Sequence, residues 1–181
     1  SGFANSKHVR QGIKLLNNQK CKIALTWGGQ QLQNKINDNF SGLMGQHNPG
    51  DANNIIQESD LIISLGSSLL QHQVGKKHSN FAPKANIIYV NSDINECKRA
   101  KYQFGKRLIY YCNDAVKFIY ILNKQKINLQ NNIFYKRKNN KNLLKKSNTP
   151  VKSLSDIFKA INKKDSIIFA DAGATLSWSY Q

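Results

Sequence analysis

Small and acidic residues stand directly after three apolar runs of the sequence, where a backbone or a carboxylate can meet a ligand. Gly66 follows the run over residues 60–65, Asp93 ends the run over residues 86–93, and Asp171-Ala172-Gly173 follows a later run. Open α/β sheets bind phosphates and nucleotides at the carboxyl ends of their strands, and a glycine there lets the backbone approach the ligand. These residue types predict a nucleotide- or diphosphate-binding edge, although the sequence contains neither GxGxxG nor GxxxxGK[ST].

The three cysteines and four histidines do not indicate metal or disulfide chemistry. Cys21, Cys97 and Cys112 form no CxxC pair and are odd in number, so each is predicted to be a small buried apolar residue. No two histidines have a metal-ligand spacing with an acid or a cysteine. His47 keeps two interpretations: a loop histidine that bonds nearby backbone, or a side chain that faces a ligand.

A formal net charge of +17 raises the question of nucleic-acid binding. Most of the 27 basic residues are lysines, which are compact point charges rather than the planar forks that suit phosphate. The densest basic segment, residues 124–152, has weak periodicity and is predicted to be a solvated linker, with a patch for an anionic partner as the alternative. We therefore do not expect nucleic acid as a partner.

Apolar runs of strand length recur along the chain at residues 21–26, 60–66, 86–93, 107–112 and 166–171. Helical spacing or helix-capping residues stand between them, at residues 7–18, from Pro49 onward, from Asn113 or Asp114 to Leu122, and at residues 153–161. Strands that alternate with helices indicate a parallel sheet with helices on both faces. The prediction is a Rossmann-like α/β fold with a doubly wound parallel sheet of six or nearly six strands.

A chain of 181 residues can enclose one ordinary core, so one domain with additional segments is expected. No stretch approaches the roughly 20 apolar residues of a membrane span, and the first residues lack a signal peptide's basic start and apolar run. We expect a cytoplasmic protein without a membrane partner.

The order of several short motifs resembles a known family. They are, along the chain, Thr26-Trp27-Gly28-Gly29, Gly42-Leu43-Met44-Gly45-Gln46-His47, the run over residues 56–66, and Phe81-Ala82-Pro83-Lys84-Ala85. This series resembles the central domain of acetolactate synthase-like thiamine diphosphate enzymes. Asp171-Ala172-Gly173 resembles the start of the family's C-terminal domain, which binds the cofactor diphosphate. The resemblance implies a central domain over residues 1–123, a basic linker over 124–150, and a truncated start of the cofactor-binding domain over 151–181.

The resemblance also implies a function and a set of binding residues. The parent enzyme would be a carboligase or decarboxylase that acts on a 2-oxo acid with thiamine diphosphate and Mg²⁺, as a homo-oligomer. Asp171, Ala172 and Gly173 would lie on the thiamine diphosphate side. The positions that match the family's FAD site are Gly42, Gly45, Gln46, His47, Gly66, Ser68 and Asp93. The family's catalytic glutamate and its Gly-Asp-Gly motif do not occur in this sequence, so we expect a structural domain without catalytic residues or activity of its own.

The FAD-equivalent positions depart from the family's pattern in two places. Gly66-Ser67-Ser68 lacks the arginine of the family's Gly-Ala-Arg segment, and Gln71-His72-Gln73 stands where FAD-binding members often have two acids and an arginine. These losses predict a vestigial, empty or differently used site. The alternative to an enzyme fragment is a stand-alone nucleotide-binding or subunit-scaffold domain without catalysis.

Overall fold

The computed structural model describes residues 2–46, 51–127 and 129, together with four separate positions further on: Ser153, Asp156, Ile157 and Ala160. The chain divides into two units, residues 1–135 and 136–181. The four positions of the second unit are helical and exposed. The rest of the helix predicted over 153–161, and the strand predicted over 166–171, lie outside the described residues.

The described part of the first unit alternates strands and helices. Its strands are β1 (Ile23–Leu25), β2 (Phe40–Leu43), β3 (Leu61–Leu65), β4 (Asn86–Asn91) and β5 (Leu108–Cys112). Its α-helices are α1 (Val9–Asn17), α2 (Ala52–Glu58), α3 (Gln71–Val74), α4 (Ile94–Phe104) and α5 (Ala115–Lys124). Three 3₁₀-helices span Trp27–Lys35, His78–Asn80 and Gly105–Arg107.

All the strand pairs among the described residues are parallel, which confirms the predicted fold class. The strands form two groups, β1 with β2 and β3 with β4 and β5 in that order. Among the described residues there are thus five strands in two groups, where the sequence predicted one sheet of about six. A cavity of about 630 Å³ lies between β1 and β3.

Apolar side chains pack into two clusters, and β4 contributes to both because its residues alternate between the two faces of the sheet. Ile87 and Tyr89 belong to the first cluster with α4, while Ile88 and Val90 contact the second. The helices α1 and α5 supply much of the second cluster and also contact each other. Helices therefore cover both faces of the sheet, as a doubly wound fold requires.

Two aspartates begin the helices that follow β4 and β5. Asp114 caps α5, because its carboxylate accepts hydrogen bonds from the backbone N–H groups of Val116 at 2.8 Å and Lys117 at 3.0 Å. Asp93 caps α4 in the same way, accepting from Asn95 N at 2.8 Å. A side-chain acceptor at this position satisfies donors that the first helical turn leaves unpaired. The helix predicted to begin at Asn113 or Asp114 is confirmed, with Asp114 as the cap.

Some boundaries differ from the predicted ones. β2 was not predicted, because Phe40-Ser41-Gly42-Leu43 is too short and too polar to form an apolar run; it exists because it pairs with β1. Conversely, the strand predicted over 21–26 is shortened to Ile23–Leu25. The helix predicted from Pro49 is described from Ala52, and Pro49 itself lies outside the described residues.

The prediction that every cysteine is buried is only partly correct. Cys97 is fully buried, Cys21 is partly buried and Cys112 is exposed. Cys112 ends β5, the outermost strand of its group, on which Ile109 is 61% exposed. Burial raises the pKa of the Cys21 and Cys97 thiols, which keeps them in the unreactive protonated form.

Among the described helices, none has the length and apolar character needed to cross a membrane.

Candidate functional site

The glycine after β3 is explained by contacts within the chain. Gly66 has a φ of +62°, its N–H donates to Val90 O at 2.8 Å, and its carbonyl accepts from Gly2 N at 2.8 Å. A Cβ at this position would lie 2.6 Å from Phe3 N, closer than any real Cβ approaches another atom. The missing side chain therefore makes room for the first residues of the chain itself, and both backbone polar groups of Gly66 are already bonded.

A second glycine, after β2, is enclosed in a similar way. Gly45 N donates to Asn53 Oδ1 at 3.0 Å, and Gly45 O accepts from Asn53 Nδ2 at 2.9 Å. Its φ is +122°, and a Cβ would lie 3.2 Å from His72 O. The next residue, Gln46, donates its backbone N–H to the same His72 carbonyl at 3.0 Å. The end of β2 is thus attached to α2 and α3. Gly42, inside β2, has a φ of +112°.

Helix α4 holds the loop that contains Ser68. The Arg99 guanidinium donates through Nη2 to Ser68 O and forms an ion pair with Glu96 at 3.0 Å. Gln103, one turn further along α4, donates to Leu69 O at 3.2 Å. The hydrogen bond from Arg99 lowers the pKa of the Glu96 carboxyl, and the same bond raises the pKa of Arg99.

Arg99 is the residue that the sequence did not single out for this site. The loop Gly66-Ser67-Ser68 has no arginine of its own, but α4 brings the Arg99 side chain to the Ser68 carbonyl. A spacing of three residues between Glu96 and Arg99 is the only local signal, and it predicts an ion pair on one helix face rather than a contact with a distant loop.

Asp93, predicted as the last residue of its strand, lies two residues beyond the end of β4 and is exposed. It caps α4, so part of its hydrogen-bonding capacity is used within the fold. The segments around Gly45, Ser68 and Asp93 each follow the carboxyl end of a parallel strand, namely β2, β3 and β4. The first of these segments is bonded to α3 and the second to α4. His47, Asp171, Ala172 and Gly173 lie outside the described residues.

Three backbone N–H groups at the FAD-equivalent positions are already bonded within the chain. Binding of a diphosphate at strand ends depends on free backbone N–H groups and glycine backbones that a ligand can approach. The N–H groups of Gly45, Gln46 and Gly66 donate to other atoms of the chain, and the space beside Gly66 is filled by Phe3. The expectation of a vestigial, empty or differently used site stays a prediction. Within the described residues, no cluster of three or more His, Cys, Asp or Glu residues could hold a metal ion.

These observations define a class of protein: a parallel, doubly wound α/β domain. The glycines after its strands β2 and β3 are bonded within the chain. The chain belongs to the thiamine pyrophosphate enzyme central-domain family, whose model matches residues 1–109.

The chain is also similar to a characterised enzyme, the large subunit of acetolactate synthase isozyme 1 from Escherichia coli (strain K12). The two are 38% identical over 60 residues, which is 33% of this chain and 10% of the relative. The matched segment thus spans about a tenth of that relative's length. Both findings agree with the family that the motif order predicts.

Proposed function

We propose that this chain is the central domain of a thiamine diphosphate-dependent carboligase or decarboxylase that resembles acetolactate synthase and acts on a 2-oxo acid. The observation that carries the proposal is the family match over residues 1–109, which covers the doubly wound part of the fold from α1 to the start of β5. The similarity to an acetolactate synthase subunit supports the choice of reaction class.

In such an enzyme the bound cofactor supplies the carbanion chemistry, and the protein supplies binding, orientation and electrostatics. The described residues fit a structural share of this work, because the polar groups at the strand ends bond to the chain itself. Asp171, Ala172 and Gly173 are proposed to lie on the thiamine diphosphate side, where a glycine lets the backbone approach the cofactor. Mg²⁺ would neutralise the diphosphate.

The first test is an activity assay of the 181-residue chain with pyruvate, thiamine diphosphate and Mg²⁺. No turnover is expected, because no described side chain is proposed to be catalytic. The complete natural product of the gene, assayed in the same way, is expected to consume the 2-oxo acid. A complete product that neither binds thiamine diphosphate nor consumes a 2-oxo acid would contradict the proposal.

The second test concerns the cofactor side. In the complete protein, Asp171→Ala is expected to weaken thiamine diphosphate binding measured by calorimetry, whereas Asp156→Ala, at an exposed helical position, is the matched control. Equal affinities for the two variants would remove Asp171 from the site.

The third test separates the enzyme from a stand-alone nucleotide-binding module. Titration of the chain with FAD, NAD and ADP is expected to leave the thermal midpoint unchanged, because the N–H groups of Gly45 and Gly66 are already bonded. Clear stabilisation by one of these nucleotides would favour the module.

Size-exclusion chromatography of the complete protein tests the homo-oligomer that we also propose.

A further inference from the structure

Two of the three cysteines, distant in the sequence, interact in the fold. Cys97 lies near the start of α4, and Cys112 is the last residue of β5. All three cysteines are free thiols, and Cys21 lies elsewhere, in the wall of the cavity beside β1. Because Cys97 and Cys112 do not have the CxxC spacing, the local sequence does not mark them as a pair.

The carboxyl end of β4 brings the two thiols together. Cys112 is the register partner of Asn91, and Asn91 O accepts from Asn113 N at 3.0 Å. The same Asn91 carbonyl accepts from Cys97 Sγ at 3.6 Å, so α4 places this sulfur where β4 and β5 meet. Cys112 Sγ donates to the next carbonyl along the chain, Ser92 O, also at 3.6 Å. The two sulfurs are therefore bonded to adjacent carbonyls.

The electrostatics of Cys97 reflects the same proximity. Burial raises the pKa of the Cys97 thiol, and Cys112 raises that pKa further through its charge and a side-chain hydrogen bond. One thiol affects another in this way only at short range. A disulfide places its sulfurs about 2.0 Å apart, so the Cys112 side chain, exposed at the end of its strand, must turn toward Cys97 to form one.

The two thiols differ in their access to solvent. Cys97 is 0% exposed, whereas Cys112 is exposed. A dissolved oxidant therefore meets Cys112 first, and burial makes Cys97 a poor first target. Redox-sensitive cysteines are solvent-accessible and often lie beside a second cysteine that resolves the oxidised product. The positions of Cys112 and Cys97 fit these two roles.

We propose that Cys97 and Cys112 form an oxidation site, at which a peroxide converts the two thiols into a disulfide within the chain. In the first step the Cys112 sulfur attacks an oxygen of hydrogen peroxide, which yields Cys112 sulfenic acid and releases water. In the second step the Cys97 sulfur attacks the Cys112 sulfur, and the hydroxyl group leaves as water with the Cys97 proton. The two thiols are oxidised by two electrons, and the peroxide is reduced by the same two. The proximity of the sulfurs favours the second step, because it is intramolecular.

The disulfide joins α4 to β5 by a covalent bond. Helix α4 also holds the loop after β3, through Arg99 and Gln103, so oxidation fixes the helix to which this loop is attached. A cross-link restricts the unfolded chain, which stabilises the folded one. This inference concerns a redox modification and goes beyond the proposed catalytic function.

The test treats the folded 181-residue chain with hydrogen peroxide, blocks the remaining thiols, and identifies tryptic peptides by mass spectrometry without reductant. Trypsin releases the three cysteines in separate peptides, over residues 21–22, 85–98 and 108–117. The main expected product is peptide 85–98 linked to peptide 108–117, from a chain that migrates as a monomer. Dithiothreitol is expected to reverse the link, and the thermal midpoint is expected to be higher in the linked chain.

Three variants assign the two steps. Cys112→Ala is expected to leave Cys97 a free thiol under the same treatment, because the oxidant does not reach it. Cys97→Ala is expected to accumulate Cys112 sulfenic acid, with at least about tenfold more dimedone labelling than in the wild type, because no second thiol consumes it. Cys21→Ala is the matched control and is expected to form the same link as the wild type.

The proposal would be overturned by the absence of the link, by Cys112 sulfinic acid as the main product, or by links between chains or to Cys21. A thermal midpoint that stays the same or falls on cross-linking would also overturn it, because the link would then not fit the folded arrangement of the thiols. The wild-type measurements decide the matter even where Cys97→Ala, at a buried position, does not fold. None of them requires thiamine diphosphate or a 2-oxo acid, so their failure is separate from a failure of the proposed function.

Discussion

At the scale of single residues, the glycines Gly45 and Gly66 of the family-like motifs form their hydrogen bonds and close contacts with other parts of the chain. Gly66 has no room for a Cβ because Phe3 N occupies that space, whereas Gly75 has a positive φ with nothing within 4 Å of a Cβ. The two positions share a positive φ and differ in crowding.

This difference makes Gly66→Ala and Gly75→Ala a matched pair. Gly75→Ala is expected to cost about 1–3 kcal/mol from backbone strain alone, because its φ of 85° and ψ of 169° lie in a region that is essentially restricted to glycine. Gly66→Ala is expected to cost at least about 3 kcal/mol, since the strain adds to a clash with backbone that cannot move freely. Urea denaturation of both variants measures the two losses. Equal losses would show that residues 2–3 do not pack against Gly66 in solution.

The ion pair between Glu96 and Arg99 predicts a dependence of stability on pH. The pKa of folded Glu96 lies below its ordinary value of 4.5, because Arg99 donates to the carboxylate. Its contribution is therefore fully present above pH 4.5 and is lost as the pH falls through the lowered folded pKa. Glu96→Gln is expected to reduce the free energy of unfolding by less than about 1 kcal/mol at neutral pH, because the pair is partly exposed.

The measurement for Glu96 is the difference in unfolding free energy between the variant and the wild type as a function of pH. That difference is expected to shrink in acid, below the ordinary glutamate pKa. Glu58→Gln, at an exposed position of α2, is the control, with a difference near zero throughout. A difference for Glu96→Gln that stays constant into acid would exclude the ion pair as its cause.

At the scale of elements, Arg107 connects β5 to the loop that precedes β4. Its guanidinium donates to the carbonyl oxygens of Ala82 at 2.6 Å and of His78, Phe81 and Ala85 at 3.3 Å each. One side chain thus donates to four carbonyls of this loop, of which those of His78 and Ala82 also accept local backbone hydrogen bonds, from Phe81 N and Ala85 N. Arg107 therefore adds a long-range anchor to a loop that local turn hydrogen bonds also hold.

Arg107→Met keeps the apolar stem and removes the donors, and it is expected to cost about 2–3 kcal/mol because charged hydrogen bonds are lost. Its exposed neighbour gives the control, since Lys106→Met is expected to change stability by less than about 0.5 kcal/mol. Thermal unfolding followed by circular dichroism compares the two. A small loss for Arg107→Met would mean that water replaces the guanidinium at these carbonyls.

At the scale of the whole molecule, the net charge of +17 does not by itself indicate a phosphate-binding surface. Arg99 and Arg107 bond within the fold, which supports the expectation that the net charge of +17 does not make a dedicated phosphate-binding surface. The absence of a nucleic-acid partner stays a prediction. A gel-shift assay at physiological salt tests it, because charge-driven binding falls steeply as salt rises.

The arrangement of the strands predicts where the sheet is most stable. β4 has β3 and β5 on its two edges, whereas β1 and β3 each have one edge toward the cavity. Amide hydrogen exchange is expected to be slowest in β4 and faster in β1 and β3, because an unpaired edge opens more easily. Equal protection across these strands would show that the cavity is filled in the isolated chain.

Local sequence by itself determined the fold class, the apolar strands β3, β4 and β5, the start of α5 at Asn113 or Asp114, and the family, because periodicity, capping and motif order depend on neighbouring residues. Tertiary structure alone decided that β2 pairs with β1, that Gly66 makes room for Phe3, and that Arg99 reaches Ser68. It also decided that the strands form two groups around a cavity. Each of these depends on residues far apart in the chain, whose approach no local pattern records.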